Sequence, residues 1–76
     1  MKDKAPQDKI KFRLKEAIRI SGMSLTEISS KLGTSISMVA QYCNTKKLPS
    51  LDTFARLCVI LDVSSDYILG IKEHFD

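Results

Sequence analysis

The stretch Leu25-Thr26-Glu27-Ile28-Ser29-Ser30-Lys31-Leu32-Gly33-Thr34-Ser35-Ile36-Ser37-Met38-Val39-Ala40-Gln41-Tyr42 reads as two short helices meeting at a sharp turn. Ser24, just before it, pairs with Glu27 as a capping box, in which serine oxygen and glutamate carboxylate satisfy free first-turn amides reciprocally. Ile28 and Leu32 then fall one turn apart, on the side a short helix turns inward. Gly33 follows where a left-handed C-cap is expected, a backbone conformation glycine adopts without a side-chain clash. Ser35 is the next N-cap, opening a helix from Ile36 to about Cys43 whose inward side holds Val39 and Tyr42. Ile28, Leu32, Val39 and Tyr42 are spaced to fill the wedge between two steeply crossing helices, and the small Ser29 lets their axes approach.

Upstream, a helix from about Gln7 to Ser21 follows Pro6. Ile10, Leu14, Ala17 and Ser21 share one face of it with Ile18 at the flank, while Lys9, Lys11, Lys15 and Arg19 fall elsewhere. Phe12 points away from the apolar stripe, and Gly22 closes the helix. Downstream, Asn44 to Pro49 is a polar loop carrying Lys46 and Lys47. Pro49-Ser50 supplies an extended residue and a cap for a helix over Leu51–Leu61. Its apolar residues Leu51, Phe54, Ala55, Leu57, Cys58 and Leu61 cover most of the circumference, which predicts the central, most buried element. Val63-Ser64 starts a last short helix ending near Gly70. The expectation is an all-α domain of five short helices over residues 9–70, between a flexible basic arm (1–8) and a tail (71–76).

Composition fits one small domain. At 76 residues, 43% apolar and 28% charged, the chain builds one modest core, burying about 60% of its unfolded surface. That excludes the large two-domain and barrel enzyme scaffolds. No apolar run approaches the roughly 18 residues that cross a bilayer, and Met1-Lys2-Asp3-Lys4 runs into charge rather than a signal-peptide core, so an intracellular location is expected. Cys43 and Cys58 read as small apolar core residues, not as a disulfide or metal pair. The net charge of +3 is uneven: residues 1–19 carry seven basic and three acidic side chains, residues 51–76 two basic and five acidic. Such a gradient suggests a polyanion met by one face.

From Arg13 to Gly70 the chain resembles the Cro/repressor-type, or xenobiotic-response-element-type, helix-turn-helix domain. The matches, in order, are Arg13-Leu14-Lys15-Glu16, Gly22-Met23-Ser24, Ile28-Ser29, Leu32-Gly33, Pro49-Ser50 and Leu61-Asp62-Val63-Ser64. There are departures too. The family's glutamine at the start of the second helix, commonly a phosphate contact, is Leu25 here. An arginine and a glutamate that pair in many members fall at Ile18 and Cys43. Packed apolar residues replace a buried ion pair at little cost in stability, so Ile18 and Cys43 are predicted to touch.

The resemblance implies a lambda-repressor-like fold and a sequence-specific transcriptional regulator, a small phage- or bacterial-type repressor in the cytoplasm, associated with the nucleoid. Its partner is a double-stranded DNA operator, read in the major groove by helix 36–43. The residues facing base edges would be Ile36, Ser37 and Gln41, with Met38 at the margin. Gln41 suits adenine, Ser37 several bases and Ile36 a thymine methyl, though Ile36 equally suits core or staple packing and Gln41 a solvated position. Phosphates would be met by Asn44, Lys46 and Lys47, by Ser24 or the amides beside it, and at the flank by Arg13 and Lys9. A weak homodimer through Tyr67, Ile68, Ile71 and Phe75 is expected for a two-fold operator, against the reading that Ile68 and Ile71 close the monomer's own core.

Enzymatic chemistry is poorly supported. His74 stands alone in the tail, and no metal-binding cysteine motif, phosphate-cradling glycine loop or nucleophile elbow is present. No cofactor, metal or small-molecule effector is implied. The alternative reading is a non-enzymatic protein-interaction module on the same scaffold, with an apolar patch at Leu25, Ile36 and Met38 in place of a polar DNA-reading end.

Overall fold

The computed structural model describes residues 6–71, Pro6 by its backbone alone. Among them five helices follow one another: α1 (Pro6–Ser21), α2 (Leu25–Leu32), α3 (Ile36–Asn44), α4 (Leu51–Leu61) and α5 (Ser65–Leu69). Lys2, Lys4, His74 and Phe75 lie outside the described residues.

Local chemistry sets the boundaries. Ser24, Ser35 and Ser64 stand in extended conformation before α2, α3 and α5, and their hydroxyls accept from the amides of Glu27, Met38 and Tyr67. Ser50 precedes α4, but its side chain does not make the expected cap. Its hydroxyl donates to Asp52 Oδ1 at 2.7 Å and lies 3.0 Å from Thr53 Oγ1, instead of accepting from a backbone amide. That bond holds the Asp52 carboxyl below its ordinary range. At the other end of α2, Gly33 has φ +78°, and its amide and that of Thr34 both donate to the Ser29 carbonyl, at 2.8 and 3.0 Å. The left-handed residue is what turns the chain from α2 into α3. Asp62 makes a similar turn after α4 at φ 56°, a conformation its short polar side chain tolerates.

The core is assembled from every helix. Leu14, Ile28, Val39, Leu57 and Ile68, one from each, are the largest fully buried side chains. Ala17, Ile18, Leu32, Tyr42, Phe54, Cys58 and Leu61 complete the cluster, and Cys43 packs partly buried against it. Of the two positions of the expected ion-pair exchange, Ile18 lies in this cluster and Cys43 packs against the cluster. Ser29, also buried, donates to the Thr26 carbonyl of its own helix at 2.9 Å, so its small side chain lets α2 and α3 pack without an unsatisfied hydroxyl. Both cysteines are free thiols.

The central helix is α1, not α4. α1 packs on α3, α4 and α5, whereas α4 packs on α1 and α2. α4 buries Phe54, Leu57, Cys58 and Leu61 at i, i+3, i+4 and i+7, and turns Leu51 (83% exposed), Ala55 and Val59 (81% exposed) to the outside. The apolar circumference that predicted full burial is therefore a core face backed by an exposed apolar stripe. Phe12, outside the periodic stripe of α1, is 64% exposed.

Candidate nucleic-acid interface

α3 turns Val39 and Tyr42 into the core, and Met38 and Cys43 pack against that core. With 100° between successive residues, Ser37, Ala40, Gln41 and Asn44 share the opposite side; Ser37 and Asn44 are exposed, Ala40 and Gln41 half-buried. Ile36, on the edge of this face, is 48% exposed and lies outside the core cluster. Met38, half-buried, packs against the core at the border of this face. Ala40 was missed by sequence reasoning, although its spacing from Ser37 and Asn44 placed it on this face.

The loop after α3 presents Lys46 and Lys47, both exposed, beside Asn44. Its backbone is tied down. Thr45 Oγ1 donates to the Gln41 carbonyl at 2.8 Å, accepts from the Lys47 amide at 3.1 Å, and the Thr45 amide donates to the same Gln41 carbonyl at 3.0 Å. Lys11 of α1 reaches the same place: its Nζ donates to the carbonyls of Gln41 (3.1 Å) and Lys47 (2.5 Å). Burial pushes the Lys11 ammonium below its ordinary pKa, opposed by the nearby Cys43 side chain. Burial likewise pushes the Cys43 and Cys58 thiols up, which disfavours the nucleophilic thiolate at both.

At the start of α2 the Ser24 hydroxyl is occupied as a cap by the Glu27 amide (3.0 Å). An anion here would meet the free amides of the first turn, with the exposed Glu27 carboxylate in the same turn opposing it.

The two flanking cations lie against α5. Arg13 Nη1 donates to the Tyr67 carbonyl at 2.6 Å, and its guanidinium carbon stands 4.3 Å from the centre of the Tyr67 ring. Arg13 is therefore a clamp between α1 and α5. Replacing it with methionine, which keeps the stem, is expected to cost about 1–2 kcal/mol of stability, read in urea unfolding, and to leave the salt dependence of any DNA binding unchanged. The Lys9 side chain runs over Gly70 at the end of α5, its Cδ 3.0 Å from where a β-carbon would sit. Arg56, which the sequence did not single out, donates from Nη2 to the Leu32 carbonyl at 2.8 Å and anchors the α2–α3 turn to α4.

Of the expected dimer residues, Ile68 is fully buried in the monomer's core and is withdrawn from that surface. Tyr67 is half-buried beneath Arg13, while Ile71 is 73% exposed. A cleft of about 750 Å³ lies between α4 and α5, with Phe54, Cys58, Val59 and Leu69 in its walls. Among the described residues no three His, Cys, Asp or Glu side chains converge as a metal site. No helix there is long and apolar enough to cross a membrane.

Comparison with known proteins agrees with this geometry. The family model described as helix-turn-helix matches residues 14–68. The uncharacterized HTH-type transcriptional regulator YobD of Bacillus subtilis is 31% identical over 64 residues, covering 84% of this chain and 57% of that protein. The HTH-type transcriptional regulator ImmR of the same organism is 34% identical over 61 residues, covering 80% of this chain and 48% of its own length. The chain thus spans about half the length of these curated relatives. No solved structure matches significantly. With the family's pattern running from α1 to α5 and Gly33 turning α2 into α3 as that pattern requires, the chain belongs to the helix-turn-helix family of the xenobiotic-response-element type.

Proposed function

We propose that this chain is a DNA-binding transcriptional regulator that reads a duplex operator with the outward side of α3. One observation carries the reading: the stripe Ser37, Ala40, Gln41 and Asn44 faces outward, and the exposed cations Lys46 and Lys47 follow it directly in the chain. A helix lying in the major groove needs that combination, short polar and methyl groups toward base edges with positive charge at the backbone beside them. The two relatives are named as transcriptional regulators, which favours the same reading. Of the apolar residues that suggested a protein-interaction end, Leu25 and Met38 pack against the core and only Ile36 projects, which leaves little apolar surface there.

The finer reading is a repressor that occupies its operator and obstructs polymerase, a binding module rather than an enzyme, acting in the cytoplasm. Neutralising four to six phosphates corresponds to a slope of about −4 to −5 in log affinity against log salt. The test is selection of a duplex from a randomised library, followed by fluorescence anisotropy on the selected and a scrambled duplex at two salt concentrations. Preference for the selected duplex by more than about a hundredfold is expected; equal binding to both would overturn the sequence-reading role. Gln41→Ala should relax one base-pair position by about 1–3 kcal/mol of discrimination, read by repeating the titration with that pair substituted.

A further inference from the structure

Lys11 belongs to α1, yet its ammonium joins two carbonyls that flank the end of α3, those of Gln41 and Lys47. α3 itself carries no basic residue in its last turn, so the cation that meets its negative end comes from another helix. In the loop, Thr45, Lys46 and Lys47 are exposed, while Leu48 (37% exposed) and the half-buried Pro49 border an apolar cavity with Ile10 and Leu14 of α1. Beside the loop lies a cleft of about 340 Å³ lined by Gln7, Asp8, Lys11, Lys46 and Leu48. The bridge is the polar tie of the basic stretch to α1, and the Thr45 hydroxyl ties it to its own helix at the same Gln41 carbonyl.

We propose that Lys11 is a positioning residue for nucleic-acid binding: its ammonium ties the Gln41 and Lys47 carbonyls together and pre-orders the loop that offers Lys46 and Lys47 to phosphate. This rests on the DNA-binding reading above. Two of the three N–H donors of Lys11 go to carbonyls of its own chain, and through them Lys11 acts on the loop. Removing the tie leaves both loop lysines present but mobile, and ordering them again upon binding costs affinity without changing the number of phosphates neutralised. The signature is thus a weaker complex with an unchanged salt slope and an unchanged base preference. Removing a phosphate partner would change the slope, and removing a base partner would change the preference.

Lys11→Met keeps the aliphatic stem and removes the donor; Lys11→Arg keeps a cation with several donors. Three readouts on the full chain test the proposal: amide relaxation at residues 45–48 in the free protein, affinity for the selected duplex across a salt series, and the same affinity in a Lys46→Ala, Lys47→Ala background. For Lys11→Met we expect faster loop motion, roughly tenfold weaker binding, an unchanged slope and unchanged base preference. In the double-alanine background the Lys11→Met effect should vanish, because residues acting through one loop are not additive. Lys11→Arg should recover both loop order and affinity, which also separates the tie from a folding defect in the methionine variant. A slope shallower by about one, an additive loss in the double-alanine background, or loop amides as ordered as before would each overturn the proposal. If the unsubstituted chain binds no duplex, the DNA-binding reading fails by itself, and the relaxation measurement still decides whether Lys11 orders the loop.

Discussion

Alanine at both Lys46 and Lys47 is expected to weaken binding to every duplex alike, roughly thirtyfold near physiological salt, and to make the slope of log affinity against log salt shallower by about two. Each phosphate neutralised on a duplex contributes about −0.9 to that slope through release of condensed counterions. With two fewer phosphates neutralised, the shallower line followed down from molar salt gives the thirtyfold figure. Both side chains are exposed and sit on a loop that the Gln41 carbonyl, Thr45 and Lys11 hold in place, so removing their charges leaves the core untouched. Anisotropy titrations at four or more salt concentrations give the slope directly. Preference between the selected and the scrambled duplex should survive, because phosphate contacts carry no base identity. An unchanged slope would mean that neither lysine meets the backbone, and that the charge gradient along the chain is only solvated surface.

The second large effect concerns stability. Leu57→Ala should destabilise the domain by about 2–5 kcal/mol, out of a total of roughly 4–11 kcal/mol for a chain of this size. Leu57 is fully buried and is the contribution of α4 to the five side chains, one per helix, at the centre of the core. With so few layers, little surrounding structure can collapse into the space left behind. Truncations on the opposite side of the same helix make the control. Leu51→Ala and Val59→Ala, at positions 83% and 81% exposed, should stay within about 0.5 kcal/mol of the unsubstituted chain. Urea unfolding followed by circular dichroism separates the two classes, and the melting temperature of Leu57→Ala should fall by at least about 8 °C. Equal losses at Leu57 and Val59 would mean that the stripe of α4 is covered by a further copy or partner in solution.

The helices and their ends were written in local sequence. Ser24, Ser35, Gly33 and Gly70 act on amides and carbonyls within a few residues of themselves, so their effects are legible without knowing the fold, whereas of the expected capping box only the Ser24 half is made. The same holds for the inward pairs Ile28 with Leu32 and Val39 with Tyr42, since helical spacing alone brings each pair to one side. Which face of α4 meets the core was not legible. Leu51, Ala55 and Val59 are as apolar as the residues they oppose, and only the packing of α1 and α2 against one side distinguishes the two.

The long basic side chains separated for a related reason. Lys11, Arg13 and Arg56 bond to backbone carbonyls 24 to 54 positions away in the chain, at Gln41, Lys47, Tyr67 and Leu32. Every residue carries such a carbonyl, so no residue type marks the acceptor. Sequence by itself determined five helices, the serine caps of α2, α3 and α5 and the glycine turn, because those follow from interactions a few residues long. Tertiary structure alone decided that Arg13 bonds to the Tyr67 carbonyl and Lys11 to those of Gln41 and Lys47, because each depends on which distant backbone the fold brings within reach of a flexible side chain.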